Sequence, residues 1–240
     1  MTRPGARKLA GWSLLVLLVA AGCGDEGEKT AAAPAKPSVT PFPTIDRADL
    51  LPGKTYTTQQ FKPAITLTIP EGKWIAARSD NPDHVEIEPE ATDPVDSAAL
   101  GLNHITQVFD AEKGAVTPGE AVPAPADFTD WLTSHPHLRA TKPKPVQALG
   151  LEGVAIDVRV KSGQPRKYKD CGKVPPPCVV MYPGGIEPVV YGGTSLGRFY
   201  VLEQPDGKQL VVEQYVEPAS ALKAQKPAFD AILNSAKVAP

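Results

Sequence analysis

The chain lacks the positive excess that nucleic-acid binding demands, an apolar run long enough to span a bilayer, and a third ligand for any metal site. Its 25 Lys and Arg stand against 27 Asp and Glu, a formal net charge of −2, whereas surfaces that hold nucleic acid are strongly basic. Nucleic acid is therefore excluded as the expected partner. No charge interrupts residues 9–24, but a spanning helix needs about 20 apolar residues, and this stretch is shorter. The three cysteines include no CxxC pair, the usual signature of a redox-active dithiol. Among four histidines, His135 and His137 are separated only by Pro136 and could approach one ion. Two ligands make a weak site, and no second cluster offers a third with recognisable spacing. The expectation is that His135 faces the negative end of a helix dipole, that His137 is loop surface, and that no metal or cofactor is bound.

What the chain has in abundance is proline, 27 of 240 residues, roughly twice the average share. Each interior proline breaks a helix, so strands and turns are expected rather than an all-helical fold. At the N-terminus Arg3, Arg7 and Lys8 form a positive region. Leu14 to Ala21 is an apolar core, and Val19-Ala20-Ala21-Gly22 leads into Cys23. This order is a secretory signal and resembles that of bacterial lipoproteins, although Ala20 sits where their pattern usually has Leu. The resemblance implies cleavage after residue 22, diacylation of Cys23 and a location on the extracytoplasmic face of the cell membrane. Two acyl chains anchor durably, since each buried CH₂ contributes roughly 0.8 kcal/mol. Residues 23–50 are Pro- and Ala-rich without apolar periodicity. Such sequence cannot offset its own ordering entropy and is expected to be a flexible tether, with one folded domain over 51–240.

Within that domain Ile65, Leu67 and Ile69 alternate with threonines, Trp74 opens WIAAR, and Val85 and Ile87 alternate with Glu86 and Glu88. All three patterns have the period of a half-buried strand. Residues 100–109 read as a fourth strand, although no single register puts every apolar residue on one face. Val154, Ile156, Val158 and Val160 give the clearest strand, entered through a tight turn at Leu149 to Gly153. Phe199 to Glu203 and Gln209 to Val216 pair as a hairpin across Pro205-Asp206-Gly207. Asp127 caps a short helix carrying Phe128, Trp131 and Leu132 on one face. Pro136 ends it by forcing His135 out of helical geometry. Phe229, Ile232, Leu233 and Ala236 share a face of a closing helix, with Pro227 expected near the start of a turn.

Three local features bear on chemistry. Gly193-Thr194-Ser195-Leu196-Gly197 matches G-x-S-x-G, which would make Ser195 a hydrolase nucleophile. An elbow of that kind needs a helix after the serine and a histidine later in the chain; here a strand follows, and all four histidines precede Ser195. Cys171 and Cys178 flank a proline-rich hexapeptide and, in an exported chain with Cys23 acylated, are expected to form a structural disulfide. Closing so short a loop stabilises by roughly 2 to 3 kcal/mol in the chain-entropy picture. Around this clasp Lys161, Arg166, Lys167, Lys169 and Lys173 concentrate positive charge, with Tyr168, Tyr182 and Tyr191 in or near it. That loop is a candidate contact for an anionic partner such as a wall polymer, lipid headgroups or an acidic protein face.

These elements describe an α+β domain: an antiparallel sheet of about six strands with helices packed on it. Pro70-Glu71-Gly72 with Trp74, the mid-chain helix, the Asp206-Gly207 hairpin and the closing ILNSAKV helix resemble the PsbP/Mog1-like fold over residues 55–238, including lipoproteins of the LpqN type. The resemblance implies an α/β/α sandwich and an accessory or binding role without common catalytic residues. The expected function is a non-catalytic, membrane-anchored binding module of the cell envelope. Its partner would be an envelope protein, a wall polymer or a small apolar or lipid ligand held between sheet and helix; a serine hydrolase is the competing class. The denatured mass of protein extracted from its own membrane is expected to match a chain beginning at diacylated Cys23 and to lack the two hydrogens removed by a Cys171–Cys178 bond. A mass showing an unmodified Cys23 or two free thiols contradicts these assignments.

Overall fold

In a computed structural model of the chain, the described residues are 38–90, 97–110, 120–162, 178–184 and 187–239. Cys23, Cys171, Arg166, Lys167, Lys169, Lys173 and Tyr168 lie outside them. The strands are β1 Val39–Pro41, β2 Ala48–Leu50, β3 Thr55–Thr57, β4 Ile65–Thr68, β5 Trp74–Arg78, β6 His84–Pro89, β7 Ser97–Asn103, β8 Gln107–Phe109 and β9 Ala121–Pro123. Helix α1, Phe128–Ser134, is followed by β10 Leu138–Ala140, β11 Lys144–Ala148, β12 Leu151–Val160, β13 Cys178–Gly184, β14 Glu187–Gly192, β15 Leu196–Glu203 and β16 Gln209–Glu217. Helix α2, Leu222–Ser235, and β17, Lys237–Val238, close the chain.

A nine-stranded sheet in the order β10-β12-β15-β16-β7-β6-β5-β2, with β11 also paired to β12, is the centre of the domain. Its strand pairs are antiparallel. Alternating side chains send it in two directions. Leu210, Val212 and Val216 of β16 join one apolar cluster with Trp74, Phe229 and Ile232, so α2 and the small sheet β1-β3-β4-β17 cover that face. Val211 joins a second cluster with Phe128, Leu132, Tyr182 and Tyr191, which places α1 and the β13–β14 hairpin on the other. The α+β class stands, with two α-helices, but the central sheet has nine strands rather than about six. The additional ones are mostly three to five residues long or carry proline, as in KPVQA, and so give no periodic signal.

Packing begins earlier than residue 51. Strand β1 pairs with β3 and β2 with β5, and Phe42 and Leu50 are 1% and 2% exposed; the packed part therefore includes the second half of the expected tether. The expected strand over 100–109 is two strands in different sheets, broken at residues 104–106, which explains why no one register fitted it. Pro227 lies inside α2 rather than near a turn. An interior proline costs about 3 kcal/mol, while Phe229, Ile232 and Leu233, all buried, each contribute roughly 1.5–3 kcal/mol.

The turns follow local chemistry. The β11–β12 turn has φ 54° at Leu149 and 80° at Gly150, both positive as a two-residue type I′ hairpin demands. Leu149 accepts the left-handed conformation at about 1–2 kcal/mol because its side chain is buried in the first cluster, which is worth at least as much. Asp127 caps α1 by accepting from the amides of Thr129 at 2.8 Å and Asp130 at 3.2 Å. His135 leaves the helix at ψ 125° ahead of Pro136.

On the α2 side of β16, Gln214 is fully buried and neither end of its amide has a hydrogen-bond partner. An unsatisfied buried polar group costs about 1–3 kcal/mol. Gln214→Leu is therefore expected to raise stability by about 1–2 kcal/mol in denaturant melts, and Phe229→Ala to lower it by about 3–5 kcal/mol. A destabilised Gln214→Leu variant would show that the amide has a structural role.

Candidate functional site

A groove of about 1420 Å³ opens where the elements end. One wall is the β11–β12 turn, a second is the β15–β16 turn, and a third is the last turn of α2 with β17. Leu151, Tyr200 and Leu233 give it apolar wall, Gln147, Gln204 and Asn234 supply neutral polar groups, and Lys62, Asp83, Asp206, Lys208, Asp230 and Lys237 add charge. The β15–β16 turn is braced from within. Gly207, at φ 79°, donates to the Gln204 carbonyl at 2.9 Å, and the Gln204 amide donates to the Lys208 carbonyl at 2.9 Å. That bracing holds the Gln204 side chain in the wall, 8% exposed, with no hydrogen-bond partner for its Nε2. On the far rim His104 stacks on Phe61, centroids 4.4 Å apart and planes at 14°, and its Nε2 donates to the Lys62 carbonyl at 2.6 Å.

A second polar centre lies beneath the β13–β14 hairpin. Register places Glu86 and Glu213 on either side of Gly101, and His84 opposite Asn103. The hydroxyls of Tyr182 and Tyr191 both donate to the Glu213 carboxylate. Burial raises the Glu213 pKa against those two hydrogen bonds. Burial also opposes charge on His84, but the hydrogen bond and charge of Glu86, at 3.2 Å, outweigh it, and its pKa is raised. Glu88 is pushed up to about 7, first by burial and then by the Glu86 charge. Smaller cavities of about 260 and 270 Å³ open on either side of the hairpin. Periodicity alone reads Glu86 and Glu88 as solvent-facing, and it carries no sign of the hairpin that covers Glu213.

Among the described residues, those singled out in the sequence do not assemble into one site. Ser195 is buried, and its Oγ accepts from the Gly192 amide at 2.9 Å and meets the Tyr215 hydroxyl at 3.1 Å. Among the described residues β15 follows it directly, where an elbow would have a helix. His135 and His137 are buried, which corrects the expectation of loop surface for His137. His135 stands edge-on to Trp131 at 5.0 Å. Burial, then the charges of His137 and Lys161, lower its pKa to about 4, so at neutral pH it is uncharged and does not serve as a cationic partner of the helix dipole. Among the described residues no group of three His, Cys, Asp or Glu could hold a metal ion. Lys161 donates from Nζ to the Pro136 carbonyl at 2.7 Å. Cys178 is buried at the start of β13. Tyr182 and Tyr191, read as neighbours of a surface loop, are instead buried against Glu213.

Among the described residues no helix is long and apolar enough to cross a membrane. No protein-family model matches the chain, and no curated protein matches it. Among solved structures it is similar to cyanobacterial PsbP (CyanoP) from Synechocystis sp. PCC 6803, with 10% identity and a TM-score of 0.35, over 79% of this chain and 95% of that one. It is also similar to LpqN of Mycobacterium tuberculosis, described as involved in cell envelope biogenesis, with 12% identity and a TM-score of 0.30, over 81% of this chain and 91% of that one. Superpositions this loose carry no argument about family or activity, and the functional reading rests on the chain's own geometry.

His135 gives a pH test. A histidine whose folded pKa lies below its unfolded value of about 6.5 binds fewer protons folded than unfolded, so its contribution to stability is lost as pH falls from about 6.5 to about 4. The loss is on the order of 3 kcal/mol at most. His135→Phe is expected to flatten that part of the stability profile in denaturant melts at stepped pH; an unchanged profile would contradict the assignment.

Proposed function

We propose that the chain is an extracytoplasmic, lipid-anchored binding module of the cell envelope that acts without catalysis and holds a small apolar or lipid ligand. The groove carries this reading. Ligand sites are concavities that join apolar surface to a few placed polar groups, and this one joins Leu151, Tyr200 and Leu233 to polar and charged side chains, with the unpartnered Gln204 Nε2 in its wall. Leaving that buried donor unpaired costs about 1–3 kcal/mol, a cost that a ligand acceptor removes once the side chain turns toward the groove. The volume exceeds the roughly 300–1,000 Å³ of a drug-sized pocket, which suits an elongated ligand. Acylation of Cys23 would keep the groove near the bilayer from which such a ligand is drawn, and the Cys171–Cys178 bond would brace the segment before β13.

Native mass spectrometry of the full-length protein, released gently from its own membrane, tests this. The expected result is extra mass that disappears on denaturation and is reduced when Asn234→Trp, an exposed groove position, obstructs the groove. Gln204→Leu is expected to weaken retention by up to about tenfold, the effect of one lost hydrogen bond. A native mass equal to the lipidated chain alone, unchanged by either substitution, would overturn the ligand reading and direct attention to docking of another envelope protein.

A further inference from the structure

Arg139 on β10 and Arg159 on β12 are direct partners in the antiparallel register, and both are exposed. Directly opposed residues carry Cβ atoms about 4.5–5.5 Å apart on one face of a sheet, and like charges so placed are destabilising. Neither arginine can turn inward, because Leu138 and Val160, the adjacent register pair, occupy the opposite, buried face. Among the described residues neither guanidinium forms an ion pair or a side-chain hydrogen bond. The next guanidinium along that face, Arg198, is held bidentately by Asp157 at 2.6 and 2.9 Å. Lys144, opposite Ala155, shares the face as well. Among the described residues of β10, β11, β12 and β15, four cations thus stand on this face with one carboxylate, and that carboxylate is already engaged.

Protection of the sheet edge does not account for the pair. Charged residues and prolines do blunt edge strands, but Lys142, Pro143, Lys144 and Pro145 already do so on the same edge. Arg159 lies on β12, inside the edge. Two guanidinium forks at cross-strand spacing are the arrangement that chelates a tetrahedral oxyanion, each fork presenting paired N–H donors to its oxygens.

We propose that Arg139 and Arg159 form a binding site for a phosphate-type oxyanion, with Lys144 adding charge beside it. Free phosphate and the phosphodiester of a lipid headgroup share this chemistry. The site is separate from the groove and does not depend on the groove being occupied.

The test uses the full-length chain in phosphatidylcholine nanodiscs. Inorganic phosphate is titrated, and its affinity is read from the rise in Tm that a native-state ligand produces. Arg139→Gln/Arg159→Gln is expected to weaken phosphate binding by about tenfold or more, as loss of two charge-assisted contacts requires. Lys54→Gln/Lys73→Gln, which removes the same charge from two exposed positions elsewhere, should stay within about twofold of the native chain. In phosphatidylglycerol discs, hydrogen exchange at β10 and β12 distinguishes the sources. Protection there that is absent in phosphatidylcholine and lost in the arginine variant assigns the headgroup; phosphate binding without such protection assigns free phosphate. A native chain that shows neither response, an arginine variant that behaves like it, or a lysine variant that loses as much overturns the proposal.

Discussion

Both faces of the central sheet are covered, and the constraint is tightest on β16, where residues 210–214 and 216 are all buried. A strand in that position cannot leave a polar group to water. Each side chain must pack, find a partner within the protein, or remain as a standing cost. Val211, Val212 and Leu210 pack, Glu213 finds partners, and Gln214 does not. The rest of the architecture follows from how the two faces are closed. Helix α2 and the small sheet cover one; the other is closed by α1 and a hairpin that brings its own hydroxyls.

Glu213 shows how demanding that closure is. A carboxylate taken out of water costs several kcal/mol unless its oxygens are bonded, and two tyrosines from adjacent strands of one hairpin meet that need. The backbone is shaped to admit them. A Cβ on Gly197 would lie 2.0 Å from the Tyr191 hydroxyl, so the sheet carries glycine where the tyrosine must pass. The same residue is the last glycine of the G-x-S-x-G match. Its role here is to make room for a ring, and Ser195 beside it is tied to the Gly192 amide and Tyr215. A resemblance in sequence to a catalytic turn is thus accounted for by packing.

Where its faces are occupied the domain has little room for a ligand, and its groove lies at the ends of its elements. The groove is bounded by two hairpin turns and the end of a helix, with the β11–β12 turn tied to β17 by the Val238 amide donating to the Leu149 carbonyl at 3.2 Å. Rigid strands set the distance between the two turns, and the turns set which side chains line the space. The oxyanion corner obeys the same logic: its two arginines are fixed relative to one another by strand register, with no bond between their side chains.

The sequence alone determined the elements whose signal is local. The Asp127 cap, the stop before Pro136, the Pro205-Asp206-Gly207 hairpin and the alternation of β4, β5, β6 and β12 follow from side-chain period, capping chemistry and the φ each turn residue allows. It gave the α+β class for the same reason, since a face that is apolar every second or every third-to-fourth residue has to be buried. Tertiary structure alone decided what those local signals cannot carry. Strands β1, β2, β10 and β11 are three to five residues long and exist because a partner edge was waiting. Glu86 and Glu88 read as solvent-facing by period two, yet both are half-buried, and Glu213 is buried because a hairpin distant in sequence lies over it. The groove draws its walls from residues 147–151, 204–209 and 233–239, and the opposed arginines are twenty positions apart. Such sites depend on register and on which faces are covered, both fixed by long-range pairing that no single window of sequence contains.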